Sequence, residues 1–341
     1  MNLKRSILLL AILAVALYGC DPPTLEPDPH RPGGDGREIP SLGPGWTSRH
    51  IANDAVYHTF AGNDEISGQY QEVFAVDVDL NKGLYQVALV YEKPMVTTSA
   101  AFLKHNAIAA INASYESSSI YLRMNGEEVF GLQNEVINGT TVPNWKSEAA
   151  FCLTAAGNPK ILFAGSQKKG EVTVPQQREY YRNLSVTEYP NFISSAPLLI
   201  DNFNPVGENF CDYTIPLTQV NKLSGEDPER HQRVAHPRSA VALTANNHLI
   251  LLVVDGRQKS TGMNARELTR FLVTWFNPQY ALNLDGGGSS TLCVKGEGDP
   301  VTHVVNYPTD NSKYDHAGER VRDAFIVVRL AASTLYKKKK G

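Results

Sequence analysis

The chain has 341 residues, of which 42% are apolar and 20% are charged, a balance typical of a folded globular protein. Its length permits one large domain or two of ordinary size. The formal net charge is −3, so no basic surplus indicates a nucleic acid as a partner.

The N-terminus has the pattern of a targeting segment. Lys4 and Arg5 precede the apolar run 7–17, which is too short to span a bilayer comfortably. Small residues then lead to Cys20, and this arrangement resembles a bacterial lipoprotein signal. It predicts removal of residues 1–19 and lipidation of the Cys20 thiol, which would anchor the protein outside the cytoplasm, in the periplasm or at the cell surface. The alternatives are an ordinary secretory signal or a buried helix.

Composition divides the rest of the chain into three parts. Residues 20–45 are rich in Pro, Gly and Asp and predict a disordered tether. Residues 46–330 have a globular composition without an internal repeat and predict one domain, whereas residues 331–341 predict a solvated basic tail. Removing residues 1–19 changes the formal charge from −3 to −5. The sequence leaves the oligomeric state open, and we expect a monomer.

Three cysteines remain if Cys20 is lipidated, namely Cys152, Cys211 and Cys293. They allow at most one intramolecular disulfide, and a free buried thiol is an equally good interpretation of each. Their spacing does not suit a zinc site. We therefore expect neither a metal nor another cofactor.

Alternating and apolar runs predict the elements of the first part of the domain. Pro197 indicates that its strand begins or lies at an edge, and the polar segment 202–235 is typical of a lid or an insertion. The predicted elements are a hairpin of 73–80 with 84–91, a helix from Thr97 or Thr98 to Lys104, a buried strand 107–112, a tight turn at Asn125-Gly126, a hairpin of 151–154 with 160–163, and a strand in 193–201.

The last part of the domain predicts a βαβ unit. Residues 239–245 and 248–254 form a hairpin around an Asn-Asn turn, and a capping box of Asn264 and Glu267 begins a helix. A strand at 280–284 follows, and further strands are expected at 301–305 and 323–330. If the strands before and after the helix share a sheet, they run parallel. The expected fold is therefore a single α+β or α/β domain, with a mixed sheet, flanking helices and a parallel βαβ unit.

Polar residues follow three of these predicted strands. Asn112 ends the small apolar strand, Asp255-Gly256-Arg257 follows the second, and Asp285 follows the third. Open α/β sheets bind ligands at the edge where parallel strands end. We therefore expect these residues to converge.

Asp285 is the strongest catalytic candidate, because Gly286-Gly287-Gly288 and then Ser289 and Ser290 follow it. Aspartate after a strand is also a common turn residue, but a turn needs one glycine rather than three. Successive backbone N–H groups of such a turn can bind an anion such as phosphate, and the two serines would be further donors. A serine nucleophile is disfavoured, since the Gly-x-Ser-x-Gly elbow is absent.

Charged residues elsewhere have both a functional and an ordinary interpretation. Arg238 offers a planar fork for phosphate or carboxylate, or forms an ion pair at the mouth of a strand. His236 is a proton donor or a loop histidine. Glu319 and Arg320 form part of a site or a solvated charge pair. The acidic residues lack the close spacing of a metal site.

Several blocks of sequence follow one another in a recognisable order: Ile111–Ala113, Ser195–Leu199, His236–Ala240, Asp255–Arg257 with Gly262, Asn283–Thr291, and Asn306-x-Pro308-x-Asp310 ending in Glu319-Arg320. Together they resemble the phosphodiester glycosidase family over about residues 70–330. After Asn112 the chain departs from the glycine and aromatic residues usual in that family and continues Ala-Ser-Tyr-Glu-Ser. This departure leaves the identity of the sugar open.

The resemblance implies an enzyme that hydrolyses the bond between a sugar, such as N-acetylglucosamine or a related one, and a phosphodiester. Glycoside hydrolysis usually requires two carboxylates, and a phosphodiester requires arginines and N–H donors. The resulting assignments are Asp285 and Glu319 as the carboxylates, with His236 as a further catalytic candidate. Arg238, Arg320 and the turn 286–288 are expected to bind the phosphate, Asn112 and Asp255 the sugar, and Arg257 another part of the substrate.

The competing class is a non-catalytic lipoprotein of the cell envelope that binds a glycan or phosphoglycan in the same pocket. Acid and arginine residues at strand ends favour the enzyme. In both cases the partner is a carbohydrate or phosphoglycan, and the N-terminal lipid anchor contacts the membrane.

Overall fold

The computed structural model describes residues 42–332, apart from residues 134, 138–139 and 143, and for the others between 135 and 142 it describes only the backbone. The predicted signal segment 1–19, Cys20, most of the tether 20–45 and residues 333–341 of the tail lie outside the described residues. Leu42 packs against an apolar cluster of the domain, so this packing begins a few residues before the predicted boundary at residue 46.

Strands dominate the described part of the chain. In chain order they are β1 (Trp46–Ala52), β2 (Ala55–Asp64), β3 (Gln69–Asp79), β4 (Tyr85–Val96), β5 (Ala109–Asn112), β6 (Tyr121–Met124), β7 (Glu127–Gly131), β8 (Glu135–Ile137), β9 (Thr140–Val142), β10 (Ala149–Leu153), β11 (Pro159–Phe163), β12 (Asn191–Ser195), β13 (Leu198–Ile200), β14 (Arg238–Leu243), β15 (His248–Val254), β16 (Tyr280–Asn283), β17 (Leu292–Val294) and β18 (Arg322–Leu330).

The α-helices are fewer and mostly short. They are α1 (Thr98–Lys104), α2 (Val174–Asn183), α3 (Leu217–Val220), α4 (Pro228–Arg233) and α5 (Ala265–Phe276). Thr97 caps α1, and Asn264 and Glu267 form the capping box of α5, so both predicted helix starts are confirmed. The hydroxyl and amide oxygens of these caps satisfy N–H groups that a helix cannot pair within itself.

The strands form three larger sheets and one two-stranded ribbon. The seven-stranded sheet has the order β1-β2-β3-β15-β14-β16-β13, the five-stranded sheet β11-β10-β12-β6-β7, and the four-stranded sheet β17-β5-β18-β4. Strands β8 and β9 pair with each other. Every strand pair in the described residues is antiparallel, and the fold is of the α+β type.

The predicted parallel βαβ unit is wrong. The hairpin places β14 beside β15, and the other edge of β14 pairs with β16, so α5 connects two strands that are not neighbours. Because β14 is antiparallel to both, β15 and β16 still point in the same direction. Arg238 pairs with Val254, and Ala240 pairs with Asn283. Asp255 and Asp285 therefore follow strands that end at the same edge of the sheet, as expected.

Local signals predicted the elements better than their pairing. The hairpins β10–β11 and β14–β15 and the strand β18 are confirmed. The predicted hairpin of 73–80 with 84–91 is wrong, because β3 pairs with β2 and β15 while β4 pairs with β18. The strand predicted at 301–305 is also wrong, since that segment contributes only an isolated bridge of Val304 to Cys293.

The three sheets enclose one central apolar core. Val76 of the seven-stranded sheet, Ile326 of the four-stranded sheet and Phe151 of the five-stranded sheet are fully buried in the same cluster. Burial of this kind is the main favourable contribution to folding. The ends of strands from all three sheets consequently lie close enough to build a common site.

The outer face of each sheet is covered by one helix. Phe271 of α5 packs on the seven-stranded sheet, Phe102 of α1 on the four-stranded sheet, and Tyr181 of α2 on the five-stranded sheet. The three cysteines Cys152, Cys211 and Cys293 are buried and free. Within the part of the chain that the structure describes, none of the helices has the length and apolar character needed to span a membrane.

Candidate active site

A cleft of about 300 Å³ opens where the three sheets and the long excursion 202–235 meet. A strand end of the seven-stranded sheet supplies the glycine turn, and Arg322 begins β18 of the four-stranded sheet. Glu116 lies in the connection between β5 and β6, and Lys146 comes from the turn before β10. The residues that line the cleft are Tyr115, Glu116, Lys146, Gly225, Glu226, Arg230, His231, His236, Arg257, Asp285, Gly286, Gly287, Gly288, Arg320 and Arg322.

Asp285 lies at the floor of this cleft. Its carboxylate Oδ2 accepts a hydrogen bond from Arg322 Nε at 2.6 Å, and only 5% of the residue is exposed. Burial raises the pKa of the Asp285 carboxyl, while the Arg322 guanidinium opposes that increase. Desolvation disfavours the charged form of a buried acid, so Asp285 retains a proton to higher pH than an exposed aspartate does.

Glu116 is the second carboxylate in the cleft, and the sequence did not single it out. Its Oε1 lies 3.6 Å from Arg322 Nη2, and its Oε2 lies 3.6 Å from Lys146 Nζ. Burial alone would raise the pKa of Glu116, but the Lys146 and Arg322 cations hold it below its usual range. The pKa values of the two carboxyl groups that contact Arg322 are thus shifted in opposite directions, as acid–base chemistry requires of such a pair.

The glycine turn directly follows Asp285 and is packed too closely for side chains. A Cβ on Gly286 would lie 2.8 Å from the Pro237 carbonyl oxygen, and Gly287 has a φ of +63°. The Gly287 N–H donates to the Pro237 carbonyl oxygen at 2.8 Å. That N–H of the predicted phosphate-binding turn is therefore already occupied within the protein. The turn shapes the wall of the cleft and brings the backbone close to whatever is bound there.

Two arginines predicted to bind the substrate reach the cleft. Arg320 makes a bidentate ion pair with Asp310, with Nε to Oδ2 at 2.8 Å and Nη2 to Oδ1 at 2.5 Å. Arg257 lies on the same wall, and among the described residues it forms no ion pair with a carboxylate. An anionic substrate group is the natural partner of such a guanidinium.

His236 also lines the cleft, with its Nδ1 3.5 Å from Arg257 Nη2. Burial and the neighbouring cations Arg238, Arg257 and Arg230 lower its pKa to about 3. The pKa of His231, which packs against Trp145 at a ring-centroid distance of 4.9 Å, is lowered well below its usual value mainly by burial. Both imidazoles are therefore neutral near pH 7, where His236 is a hydrogen-bonding partner or a base rather than a charged acid.

Arg238 does not line the cleft but lies beneath it. The side chain is fully buried and donates to the carbonyl oxygens of Met263, His231 and Val234 and to Gln232 Oε1, all at 2.8–2.9 Å. Its guanidinium thus anchors α4 and the segment that follows it. Arg238 positions the wall that carries both histidines, instead of extending into the cleft towards a phosphate.

Asn112 is likewise fully buried behind the glycine turn. Its Nδ2 donates to the Asp285 carbonyl oxygen at 2.7 Å, while its Oδ1 accepts from Ser239 Oγ at 2.8 Å and from the Thr291 N–H at 3.1 Å. These bonds connect three strand ends. The Asn112 amide therefore fixes the backbone of Asp285 and leaves the sugar to other residues.

Asp255 and the two serines also lie outside the lining of the cleft. Asp255 accepts hydrogen bonds from Asn306 Nδ2 and from the Tyr307 N–H, both at 2.9 Å, and burial raises its pKa to about 7. It holds the loop that later carries Asp310 and Arg320. Ser289 and Ser290 are at most 1% exposed. Their hydroxyl groups are therefore not available as donors at the surface of the cleft.

Glu319 lies at the N-terminus of α1 rather than beside Asp285. Its Oε2 accepts from the Ser99 N–H at 2.9 Å, and its Oε1 accepts from the Ser99 hydroxyl. A carboxylate at this position accepts hydrogen bonds from N–H groups that the helix leaves unpaired, and the partial positive charge of the helix N-terminus stabilises it. The structure therefore brings Glu116, and not Glu319, together with Asp285.

Two of the missed residues lie near sequence blocks that were recognised. Glu116 follows Asn112 by four positions, inside the stretch that departs from the family pattern, and Arg322 follows Arg320 by two. Nothing in the sequence around Lys146 indicated a site. Within the described ranges, no three His, Cys, Asp or Glu side chains cluster in a way that could hold a metal ion.

Comparison with known proteins defines the class. A sequence model of the phosphodiester glycosidase family matches residues 105–328, about two-thirds of the chain. The chain belongs to this family, and the resemblance predicted from its motifs is confirmed.

Individual relatives are more distant. Over 82 residues the chain is 35% identical to the bovine N-acetylglucosamine-1-phosphodiester alpha-N-acetylglucosaminidase, a match that covers 24% of this chain and 14% of the bovine enzyme. The catalytic domain of the zebrafish enzyme of the same name, auto-inhibited by its pro-peptide, has a TM-score of 0.54 at 16% identity, with 85% of both chains covered. A putative exported protein of Burkholderia pseudomallei has a TM-score of 0.50 at 10% identity, covering 86% of this chain and 98% of the other. These two likenesses concern the fold.

Proposed function

We propose that this protein hydrolyses the bond between the anomeric carbon of a sugar and a phosphodiester. The proposal rests on the two carboxyl groups, those of Asp285 and Glu116, that contact the Arg322 guanidinium. Burial raises the pKa of Asp285, whereas Lys146 and Arg322 lower the pKa of Glu116. Family membership points to glycosidase chemistry, and the cleft provides the acid and the carboxylate that such chemistry uses.

The phosphate has a natural place beside the glycine turn. Arg257 and Arg320 line that wall, and their guanidinium groups suit the anionic oxygens of a phosphodiester. When the bond from the anomeric carbon breaks, its electron pair stays on the bridging phosphate oxygen. The arginines stabilise that charge as it develops, which is the effect that preorganised donors contribute most strongly to catalysis.

The two carboxyl groups have complementary roles in this reaction. Asp285, whose raised pKa favours the protonated form, supplies a proton to the departing phosphate oxygen. Glu116 stabilises the positive charge that develops at the anomeric carbon and accepts a proton from the water that adds there. Arg322 contacts both groups and lowers the pKa of each, so it keeps the pair in one geometry.

The substrate and the location are parts of the same proposal. The sugar is N-acetylglucosamine or a related one, carried by a glycan or phosphoglycan outside the cytoplasm. The motif that resembles a lipoprotein signal supports this location. The name of the bovine relative, which matches over a short stretch, supports a sugar-1-phosphodiester as the substrate class.

The proposal is tested by turnover of defined glycosyl phosphodiesters. The purified protein is incubated with methyl phosphodiesters of α-linked sugars, and the free sugar and methyl phosphate are quantified. Asp285→Asn and Glu116→Gln are each expected to lower kcat by about 10²–10⁴-fold, the usual contribution of an acid or base. Glu65→Gln, an exposed carboxylate outside the cleft, is the matched control and should retain wild-type kcat. Binding without turnover would instead indicate a glycan-binding lipoprotein.

A further inference from the structure

Lys146 is a buried cation in the wall of the cleft. Only 2% of its side chain is exposed, and its ammonium lies 5.5 Å from the ring centre of Tyr115 and 5.7 Å from that of Trp145. A buried ammonium is costly unless counter-charges and hydrogen bonds compensate for its lost hydration. The identity of its counter-charges therefore determines what this part of the cleft accepts.

One counter-charge of Lys146 comes from an exposed loop. Glu226 Oε2 lies 2.5 Å from Lys146 Nζ, although half of the Glu226 side chain is exposed. Residues 224–226 are all exposed, and a Cβ on Gly225 would meet no atom within 4 Å. The Trp145 indole N–H donates to the Glu226 carbonyl oxygen at 2.9 Å. The contact between a buried lysine and this lightly packed loop is thus one that a ligand can replace.

Glu116, a second carboxylate near Lys146, is less available for replacement. It lies 3.6 Å from the Lys146 ammonium and is also drawn to Arg322. A neutral sugar that displaced Glu226 would weaken the compensation of a buried charge. A ligand that brings its own anion would maintain it, because one carboxylate or phosphate would take the place of another. The phosphodiester itself has Arg257 and Arg320 elsewhere in the cleft.

We propose that Lys146 determines specificity for a sugar that carries a second anionic substituent, which replaces the Glu226 carboxylate when the substrate binds. This inference rests on the proposed function, because it assigns the phosphodiester to the Arg257 wall and the sugar to the Lys146 wall. The recognised group is a carboxylate, as in a hexuronic acid, or a phosphate on a sugar hydroxyl. Both are anions that accept charge-assisted hydrogen bonds.

Equilibrium binding of three matched ligands tests the proposal without requiring turnover. α-D-Glucose 1-phosphate is neutral at C6, whereas α-D-glucuronic acid 1-phosphate and α-D-glucose 1,6-bisphosphate carry a carboxylate and a phosphate there. Titration calorimetry should show that at least one of the anionic ligands binds about tenfold or more tightly than the neutral one. The two anionic ligands distinguish a uronic acid from a phosphosugar. Equal affinity for all three would overturn the proposal.

Variants assign the preference to Lys146. The preference is the ratio of the Kd for glucose 1-phosphate to the Kd for the anionic ligand. Lys146→Met should reduce this ratio to about one, whereas Lys146→Arg should retain most of it. Glu226→Gln removes the competing carboxylate, so it should increase the affinity for the anionic ligand more than that for glucose 1-phosphate. Glu127→Gln, an exposed change on the β6–β7 hairpin away from the cleft, should match wild type.

Folding of each variant is checked by circular dichroism, and Glu226→Gln tests the idea even if Lys146→Met does not fold. An unchanged preference in Glu226→Gln, or a preference that persists in folded Lys146→Met, would contradict the proposal. Hydrolysis of neutral and anionic phosphodiesters at equal kcat/KM would sustain the proposed function and refute this inference. Absence of hydrolysis alongside a Lys146-dependent binding preference would refute the proposed reaction alone.

Discussion

Arg322→Met removes the cation that joins the two carboxyl groups of the cleft. The side chains of Arg322 and Asp285 are 10% and 7% exposed, and their Nε to Oδ2 distance is 2.6 Å. Removing one partner of a buried ion pair typically costs about 3–5 kcal/mol, because the other charge is left without compensation. Since Arg322 is the cation that lowers the pKa of Asp285, the variant should also retain the Asp285 proton to still higher pH.

Urea unfolding monitored by fluorescence measures the free energy of unfolding of the wild type and the variant at pH 7. The expected loss is about 3 kcal/mol or more for Arg322→Met. Arg329→Met is the matched control on the same strand, since Arg329 hydrogen-bonds only to the Gln86 side chain at 2.9 Å among the described contacts. Its cost should stay below about 1 kcal/mol.

The double variant Asp285→Asn/Arg322→Met distinguishes charge compensation from lost packing. If the cost of Arg322→Met comes from the unpaired carboxylate, then removing that carboxylate as well should recover about 1–3 kcal/mol, the range of coupling between residues in contact. A cost of Arg322→Met no larger than that of Arg329→Met would refute the reasoning. So would strict additivity of the two substitutions.

Two further predictions concern residues behind the cleft. Asn112→Ala leaves three buried partners unsatisfied and should lower the free energy of unfolding by about 3 kcal/mol or more. Urea unfolding measures this loss, and Asn246→Ala in the exposed β14–β15 turn is the control. Asp255 has a folded-state pKa of about 7, above its unfolded value, so its contribution to stability is lost as pH rises from about 4 to 7. The free energy of unfolding of the wild type, relative to that of Asp255→Asn, should fall over that range by up to about 4 kcal/mol. An Asn112→Ala cost equal to that of the control, or a pH-independent Asp255→Asn difference, would contradict these accounts.

Elements with local signals could be predicted from the sequence. The capping box of α5, the Asn-Asn turn of the β14–β15 hairpin and the Asn125-Gly126 turn each depend on residues a few positions apart. Pairing between distant strands has no such signal. The strand β4 therefore looked like the hairpin partner of β3 although it pairs with β18, and β14 could not be placed between β15 and β16.

The candidate site was predicted in part for the same reason. Asp285 and the glycine turn stand out because three glycines exceed what a turn requires, and Arg257 and His236 lie at the same sheet edge. Residue type does not reveal burial, however, so Arg238 and Asn112 were taken for ligands although every hydrogen bond described above for their side chains is made within the protein. Further residues of the cleft come from the other two sheets. Their convergence depends on tertiary packing that no local pattern encodes.

The fate of oxygen from water tests the central claim most directly. A glycosyl methyl phosphodiester is hydrolysed by the wild-type protein in ¹⁸O-enriched water, and both products are analysed by mass spectrometry. Attack at the anomeric carbon, with Asp285 as the acid, predicts that the label enters the free sugar, that methyl phosphate stays unlabelled, and that Asp285→Asn forms neither product at a comparable rate. Label in the methyl phosphate would show cleavage of the phosphorus–oxygen bond, and it would contradict the glycosidase account.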